Sequence, residues 1–240
     1  MLIPINNPGY RINYRPSKKL ILVIIVIAIL VVVIIILISF LNNSAKNNTN
    51  QPTDVISNLP TNDPKRQLAE KRDRPHFGNT KAKLVIVEFS DFQCPVCQAE
   101  FPIIREVINK YQDQIFFIYR QYPIINEGSP LVAEASLCAN EQGKFWAMHD
   151  RLFLNARNDF TESDLQNIAR QSGLNMDQFN NCLSGEKYKD IVTEDTKDGF
   201  TLGAPGTPTF FVNGNRLSGQ ISKNNWEIII NQSLKLLNNQ

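Results

Sequence analysis

Apolar and polar positions are arranged along this chain in three different ways. From Leu20 to Leu41 they do not alternate at all: "LILVIIVIAILVVVIIILISFL" carries no charge over 22 residues. A helix of that length rises roughly 33 Å, about the hydrocarbon thickness of a bilayer. The run is longer than the roughly 7–15 apolar residues of a cleaved signal segment. It is also apolar on every face, which a core helix seldom is. It predicts a retained transmembrane anchor over 20–41, with residues 1–19 as a tail before it. Residues 42–73 are rich in Asn, Thr and Pro and show no periodicity, so they predict a flexible tether of about 30 residues.

From residue 74 to 240 the pattern is that of a folded α/β domain. "AKLVIVEFS" (82–90) is a nearly continuous apolar, β-branched run, as a strand buried on both faces requires. A helix follows from about Pro95 to Tyr111, with Phe101, Ile104, Val107, Ile108 and Tyr111 at helical spacing. "QIFFIYRQYP" (114–123) predicts a second strand, and a β-helix-β unit of this length implies a parallel, right-handed crossover. The period then turns entirely helical over about 128–202, where Thr161 and Asp164 suggest a capping box with Asp in place of Glu. Strand signals return in "GTPTFFVNGNRLSG", with Asn213-Gly214 as a hairpin turn. Ser222 caps a last amphipathic helix carrying Trp226, Ile229, Ile230, Leu234 and Leu237. The order is β-α-β, a helical insert of about 75 residues, then β-β-α.

Charge decides which side of a membrane this domain occupies. Of 25 Lys/Arg and 23 Asp/Glu, five and two lie in residues 1–63, so the remainder carries a net charge of −1. No basic field is left there to attract nucleic acid. Four of the five early cations, Arg11, Arg15, Lys18 and Lys19, precede the apolar run, and only Lys46 follows it closely. The positive-inside rule places the N-terminus in the cytoplasm and the α/β domain outside.

Outside the cytoplasm, disulfides can persist, and the four cysteines are read in that light. Cys94 and Cys97 stand where the first strand ends and the helix begins, with Pro95 suited to the first helical turn. A thiolate at Cys94 faces free backbone N–H groups and the positive end of the helix dipole, which lowers its pKa. Cys94 is expected to be the accessible sulfur and Cys97, one turn further in, the more buried one. A purely structural disulfide is the plainer alternative. Zinc needs about four ligands, and only His76, His149, Cys138 and Cys182 could complete such a set, so no metal is expected. Cys138 and Cys182 lie in helical segments of the insert. A structural disulfide between them would close a loop of about 45 residues, with buried free thiols or a second redox relay as the alternatives.

Three stretches together, "EFSDFQCPVC" (88–97), "KFWAMHDRLF" (144–153) and "GTPTFFVNG" (206–214), resemble the DsbA-like branch of the thioredoxin superfamily. The resemblance covers about residues 75–240. It implies a thioredoxin fold with a helical insertion, here preceded by one N-terminal transmembrane helix, and a redox disulfide between Cys94 and Cys97. It implies a cis Pro208, preceded by Thr207, lying against the cysteines and leaving a backbone edge where an extended substrate adds as a strand. Read from the residues alone, Pro208 is a trans proline at a strand edge. The resemblance also places Glu88 beneath the disulfide, partly buried and with a raised pKa, to shuttle the proton of Cys97. The plainer alternative for Glu88 is an edge-strand acid reaching solvent. Trp146 and His149 read as packing residues of the insert. One position departs from the pattern: strongly oxidising members carry His where this chain has Val96, which weakens thiolate stabilisation.

The expected function is a membrane-tethered, extracytoplasmic thiol-disulfide oxidoreductase that introduces disulfides into exported proteins. Its expected partners are reduced or unfolded exported proteins and, by analogy with the family, a quinone-linked membrane oxidase that reoxidises it. No cofactor is implied. The rivals are a reductase or disulfide isomerase on the same fold, or a non-catalytic binding module or chaperone with structural cysteines.

Overall fold

The computed structural model of the protein describes residues 61–157 and 159–239, together with 18, 19, 27 and 30–35. The chain divides into two compact units, Met1–Gln51 and Pro52–Gln240. In the first, the described residues are helical, and the apolar side chains of Ile27 and of 30–35 are exposed. Most of the anchor predicted over 20–41 lies outside the described residues. Among those that are described, no helix is long and apolar enough to cross a membrane.

The second unit is built on a five-stranded sheet in the order β1-β3-β2-β4-β5. Its strands are β1 (His76–Gly78), β2 (Leu84–Ser90), β3 (Ile115–Gln121), β4 (Thr209–Val212) and β5 (Asn215–Ser218). β2 and β3 run parallel, Leu84 opposite Ile115 through Ser90 opposite Gln121, joined by helix α2 (Pro95–Lys110). β1, β4 and β5 pair antiparallel with their neighbours. Every residue of β2 and of β3 is buried, the polar Glu88, Ser90, Arg120 and Gln121 toward their ends included, as their largely apolar runs lead one to expect.

Alternation along the strands sends side chains into two different cores. Leu84, Ile86, Ile115, Phe117, Phe210 and Val212 pack under α2 and the last helix, α8 (Lys223–Asn238), against Ile104, Ile108, Trp226 and Ile230. Val85, Val87, Phe89, Ile118 and Phe211 face the other way, onto Ala69, Leu202 and Ala204. The helical insert is α3 (Ser129–Glu141), α4 (Phe145–Leu154), α5 (Glu162–Gln171), α6 (Met176–Ser184) and α7 (Lys189–Thr201). It forms a third core with Phe92, Cys94, Cys97 and Tyr119, over the strand ends where the cysteines lie. Both arms of the Thr161–Asp164 capping box are present.

Two features depart from the expectations. The tether predicted over 42–73 holds helix α1 at its end, Pro64–Ala69, capped by Asp63, whose Oδ1 accepts the N–H groups of Lys65 and Arg66. Arg66 and Ala69 are buried there. Arg120 explains why this polar segment docks: it donates to the carbonyls of Leu68 and Ala69, at the negative end of the short helix, at 2.9 and 3.0 Å. Its other nitrogens hold Asp195 (2.8 Å) and Asp198 (2.6 Å) of α7, and Arg74 reaches the same Asp195 at 2.8 Å. Strand β1 is likewise absent from the sequence pattern, because His76-Phe77-Gly78 is too short to show alternation.

Candidate active site

Cys94 is the N-cap of α2, with extended backbone, and Pro95 occupies the first helical position, where a missing N–H costs no hydrogen bond. The turn before it is fixed by Asp91. Its carboxylate accepts the N–H groups of Gln93 (2.8 Å) and Ile125 (2.9 Å), while its carbonyl accepts that of Cys94 (3.1 Å). Ser129 of the insert donates to the Gln93 side chain at 2.9 Å, tying the turn to α3.

Both active-site cysteines are thiols in this structure. The Cys97 N–H points at the Cys94 sulfur at 3.4 Å, and the Cys94 thiol donates to the Thr207 carbonyl at 3.2 Å. The two sulfurs differ sharply in electrostatics. The Cys97 side chain, hydrogen-bonded to the Cys94 sulfur, does most to pull Cys94 down from the ordinary thiol range to about 6. Burial opposes it, while the Thr207 side chain and the backbone at Cys97 and Val96 add to the pull. Burial pushes Cys97 well above the ordinary thiol range, and the neighbouring Cys94 reinforces that. The expectation of an open Cys94 needs correcting: it is 4% exposed, against 1% for Cys97. The Thr207 carbonyl lies against it, and its helix neighbours Pro95 and Val96 are exposed.

The Thr207–Pro208 peptide bond is cis, so the trans reading of Pro208 is set aside. Pro208 is buried and its carbonyl accepts the Gly219 N–H at 2.9 Å, whereas the Thr207 carbonyl faces Cys94.

Glu88 is not an edge residue. It lies in the central strand β2, 3% exposed, between Tyr119 of β3 and Phe210 of β4. It shares the α2 face of the sheet with Leu84 and Ile86, one row nearer the cysteines. Burial above all, with the charges of Glu100 and Cys94 behind it and Ser90 against it, lifts its carboxyl to about 8. Its proton is held well above the ordinary carboxyl range, and once ionised its charge pushes Cys97 up further.

His149 packs among Phe92, Phe101, Tyr119, Phe145 and Trp146, and burial holds its pKa down. Trp146 spans the insert and β1 by donating to the His76 carbonyl at 2.7 Å. Cys138 of α3 and Cys182 of α6 are joined in a disulfide, with Cα atoms 5.8 Å apart. Among the described residues, no group of three or more His, Cys, Asp or Glu side chains is placed to hold a metal ion.

The sequence reading missed Glu100, fully buried one turn beyond Cys97, whose carboxylate accepts the Trp226 indole N–H (2.7 Å) and the Ile221 N–H (2.9 Å). Burial lifts it to about 7 against these two donors. The available signal was an acid on the apolar face of α2, three residues after Cys97 and four before Ile104.

Comparison with known proteins places this site in a family. The thioredoxin family profile matches residues 70–232. A probable disulfide bond formation protein D of Bacillus anthracis is 30% identical over 152 residues, covering 58% of this chain and 69% of that protein. A Na(+)/H(+) antiporter NhaA 3 of Salinispora tropica is 34% identical over 150 residues, 61% of this chain. The chain spans only about a quarter, 23%, of that antiporter's length. Among solved structures, a thioredoxin-like oxidoreductase from Silicibacter pomeroyi aligns with a TM-score of 0.61 at 26% identity, covering 72% of this chain and 95% of that one. Oxidised BdbD from Bacillus subtilis aligns at 0.62 and 22% identity over 68% of this chain and 94% of its own, a likeness of fold.

Proposed function

The chain belongs to the thioredoxin family, as a thiol-disulfide oxidoreductase of the DsbA type, and from that premise we propose that it is a membrane-tethered oxidase of exported proteins. The observation that carries the oxidising direction is the difference between the two sulfurs. A Cys94 pulled down to about 6 is largely thiolate at neutral pH, which stabilises the reduced pair and makes the disulfide a better oxidant.

In the reaction a substrate thiolate attacks the Cys94 sulfur of the Cys94–Cys97 disulfide. The new S–S bond forms as the old one breaks, and the electron pair leaves on Cys97. That buried thiolate takes the proton held on Glu88. The second substrate thiol, deprotonated, then attacks the substrate sulfur of the mixed disulfide. It expels Cys94 as the better leaving group, and two electrons have passed from substrate to enzyme. The Thr207 carbonyl, released once Cys94 carries no proton, offers an acceptor to the backbone of an extended substrate. Reoxidation is assigned to a quinone-linked membrane oxidase. The anchor over 20–41 and the extracytoplasmic placement rest on the charge-free run and on the four cations before it.

Val96, standing where strong oxidants of the family carry His, favours a second reading, a reductase or isomerase kept in the dithiol state. Equilibrating the Cys94/Cys97 couple against glutathione separates the two. We expect a potential well above the roughly −270 mV of thioredoxin. A value at or below it would assign the protein to the reducing side. A reporter active only outside the cytoplasm, fused after Gln240, is expected to be active, and activity of a cytoplasm-only reporter there would reverse the orientation.

A further inference from the structure

The Thr207 carbonyl stands at the end of a loop that has little means of holding itself. Residues 203–206 read Gly-Ala-Pro-Gly, Gly203 has a φ of 71°, and Gly203 and Pro205 are exposed. The N–H groups of Gly203 and Ala204 are spent closing α7, on the carbonyls of Phe200 and Gly199, and Pro205 has none to give. A segment of this composition keeps one conformation only if groups elsewhere hold it. Three side chains do. Arg216 of β5 donates to the Gly203 carbonyl, the Tyr122 phenol to the Ala204 carbonyl at 3.2 Å, and the Thr209 hydroxyl to the Gly206 carbonyl at 2.7 Å.

Tyr122 has a second tie that the other two lack. Its own N–H donates to the Ser90 carbonyl at 2.9 Å, at the end of β2, and the next residue, Asp91, accepts the Cys94 N–H. One residue thereby braces both walls of the site: the turn that carries Cys94 and the loop that carries Thr207, 113 residues apart in sequence. Packing alone does not call for its hydroxyl. The fully buried ring lies edge-on to Phe89 and Phe200, with centroids 6.0 and 5.3 Å away, and against Gly199, where a Cβ would stand 2.7 Å from it. Phenylalanine would fill that space as well. The hydroxyl is used on the loop.

We propose that Tyr122 is a positioning residue for substrate: its phenol, helped by Arg216 and Thr209, fixes the loop so that the Thr207 carbonyl is presented to an extended polypeptide, which favours polypeptide thiols over small ones. The inference rests on the strand-addition reading above and deepens it. A small thiol reaches Cys94 without pairing to the loop and gains nothing from its fixed position. With a tie cut, the loop samples other positions, and apparent affinity for a polypeptide falls by the fraction of time spent away from the competent one.

The experiment reduces the preformed Cys94–Cys97 disulfide with an extended cysteine-containing peptide and, separately, with mercaptoethanol, and compares the two rates per thiolate. The wild type is expected to prefer the peptide and to saturate with it. In Tyr122→Phe the peptide-to-small-thiol ratio is expected to fall about threefold to tenfold, as the loss of one hydrogen bond allows. The fall should lie in a higher saturation constant, with the limiting rate kept. Arg216→Gln, at an exposed position on the other end of the loop, is expected to lower the ratio in the same way, and it serves as the test should Tyr122→Phe fail to fold. Loss of packing alone would not separate a peptide from a small thiol. An unmoved ratio in folded Tyr122→Phe, or a fall confined to the limiting rate, overturns the role of Tyr122. With that variant unfolded, an unmoved ratio in Arg216→Gln does the same. A wild type that treats peptide and small thiol alike overturns strand addition at Thr207 and this inference with it.

Discussion

Cys94 and Cys97 are three residues apart, on one helix turn, and chemically opposite. The first caps the helix and collects hydrogen bonds, and the second is sealed beneath it. Alkylation of the reduced protein is expected to modify Cys94 first, with a midpoint near 6 rather than the roughly 8.5 of a free thiol. Cys97→Ser is expected to accumulate substrate mixed disulfides in cells, and Cys94→Ser none. Equal adducts from both variants would remove the assigned roles. Glu88 has its own signature in stability. Its pKa is raised in the folded state, so the folded protein keeps a proton that the unfolded chain releases. Stability conferred by that proton is complete below the ordinary carboxyl value and is lost as pH rises toward about 8. Glu88→Gln should therefore gain stability relative to wild type as pH increases from about 5 to 8. Urea midpoints taken across that range measure it, and a constant difference would mean that Glu88 is ionised in the folded protein.

Among the described elements, the insert disulfide is the covalent tie, joining α3 to α6 across 44 residues of sequence. Cys138→Ala with Cys182→Ala is expected to cost about 4 kcal/mol on chain-entropy grounds, less if the reduced chain retains structure. Thermal unfolding of the double variant checks this, and an unchanged melting temperature would refute it. The sequence made the strong elements readable: β2 and β3 by nearly continuous apolar runs, α2 by its helical spacing, α5 by its capping box. It hid α1 and β1, which are short and polar and exist because Arg120 and β3 provide partners far along the chain. The site divides in the same way. Cys94, Cys97 and Thr207-Pro208 stand in local motifs, whereas the surroundings of Glu88 and Glu100 come from strand order and from α8, more than 100 residues away.

At the scale of the whole molecule, one fully buried cation ties three distant segments together. Arg120 of β3 binds α7 through Asp195 and Asp198 and the end of α1 through two carbonyls, and Arg74 shares Asp195. Removing it leaves Asp198 without its cation and Asp195 with Arg74 and the Gln121 N–H alone. Arg120→Met is expected to destabilise the fold by about 3–5 kcal/mol and to free residues 63–74 for proteolysis. Limited digestion with unchanged cleavage in that segment would count against this.

The Cys138–Cys182 bridge carries one further consequence. Both residues are buried, at 1% and 5% exposure, so a protein oxidant reaches them only while the insert is open around them. A newly synthesised copy therefore arrives as four free thiols, and it is itself a protein awaiting oxidation. Under the oxidase reading, mature copies catalyse that step, and the nascent chain of this same protein is among their substrates. In cells without other disulfide catalysts, a Cys94→Ser/Cys97→Ser chain expressed alone should then linger with Cys138 and Cys182 reduced, and co-expression of the wild type should close the bridge. The supply of active enzyme would in that case grow autocatalytically, with a lag that shortens as the first mature copies appear.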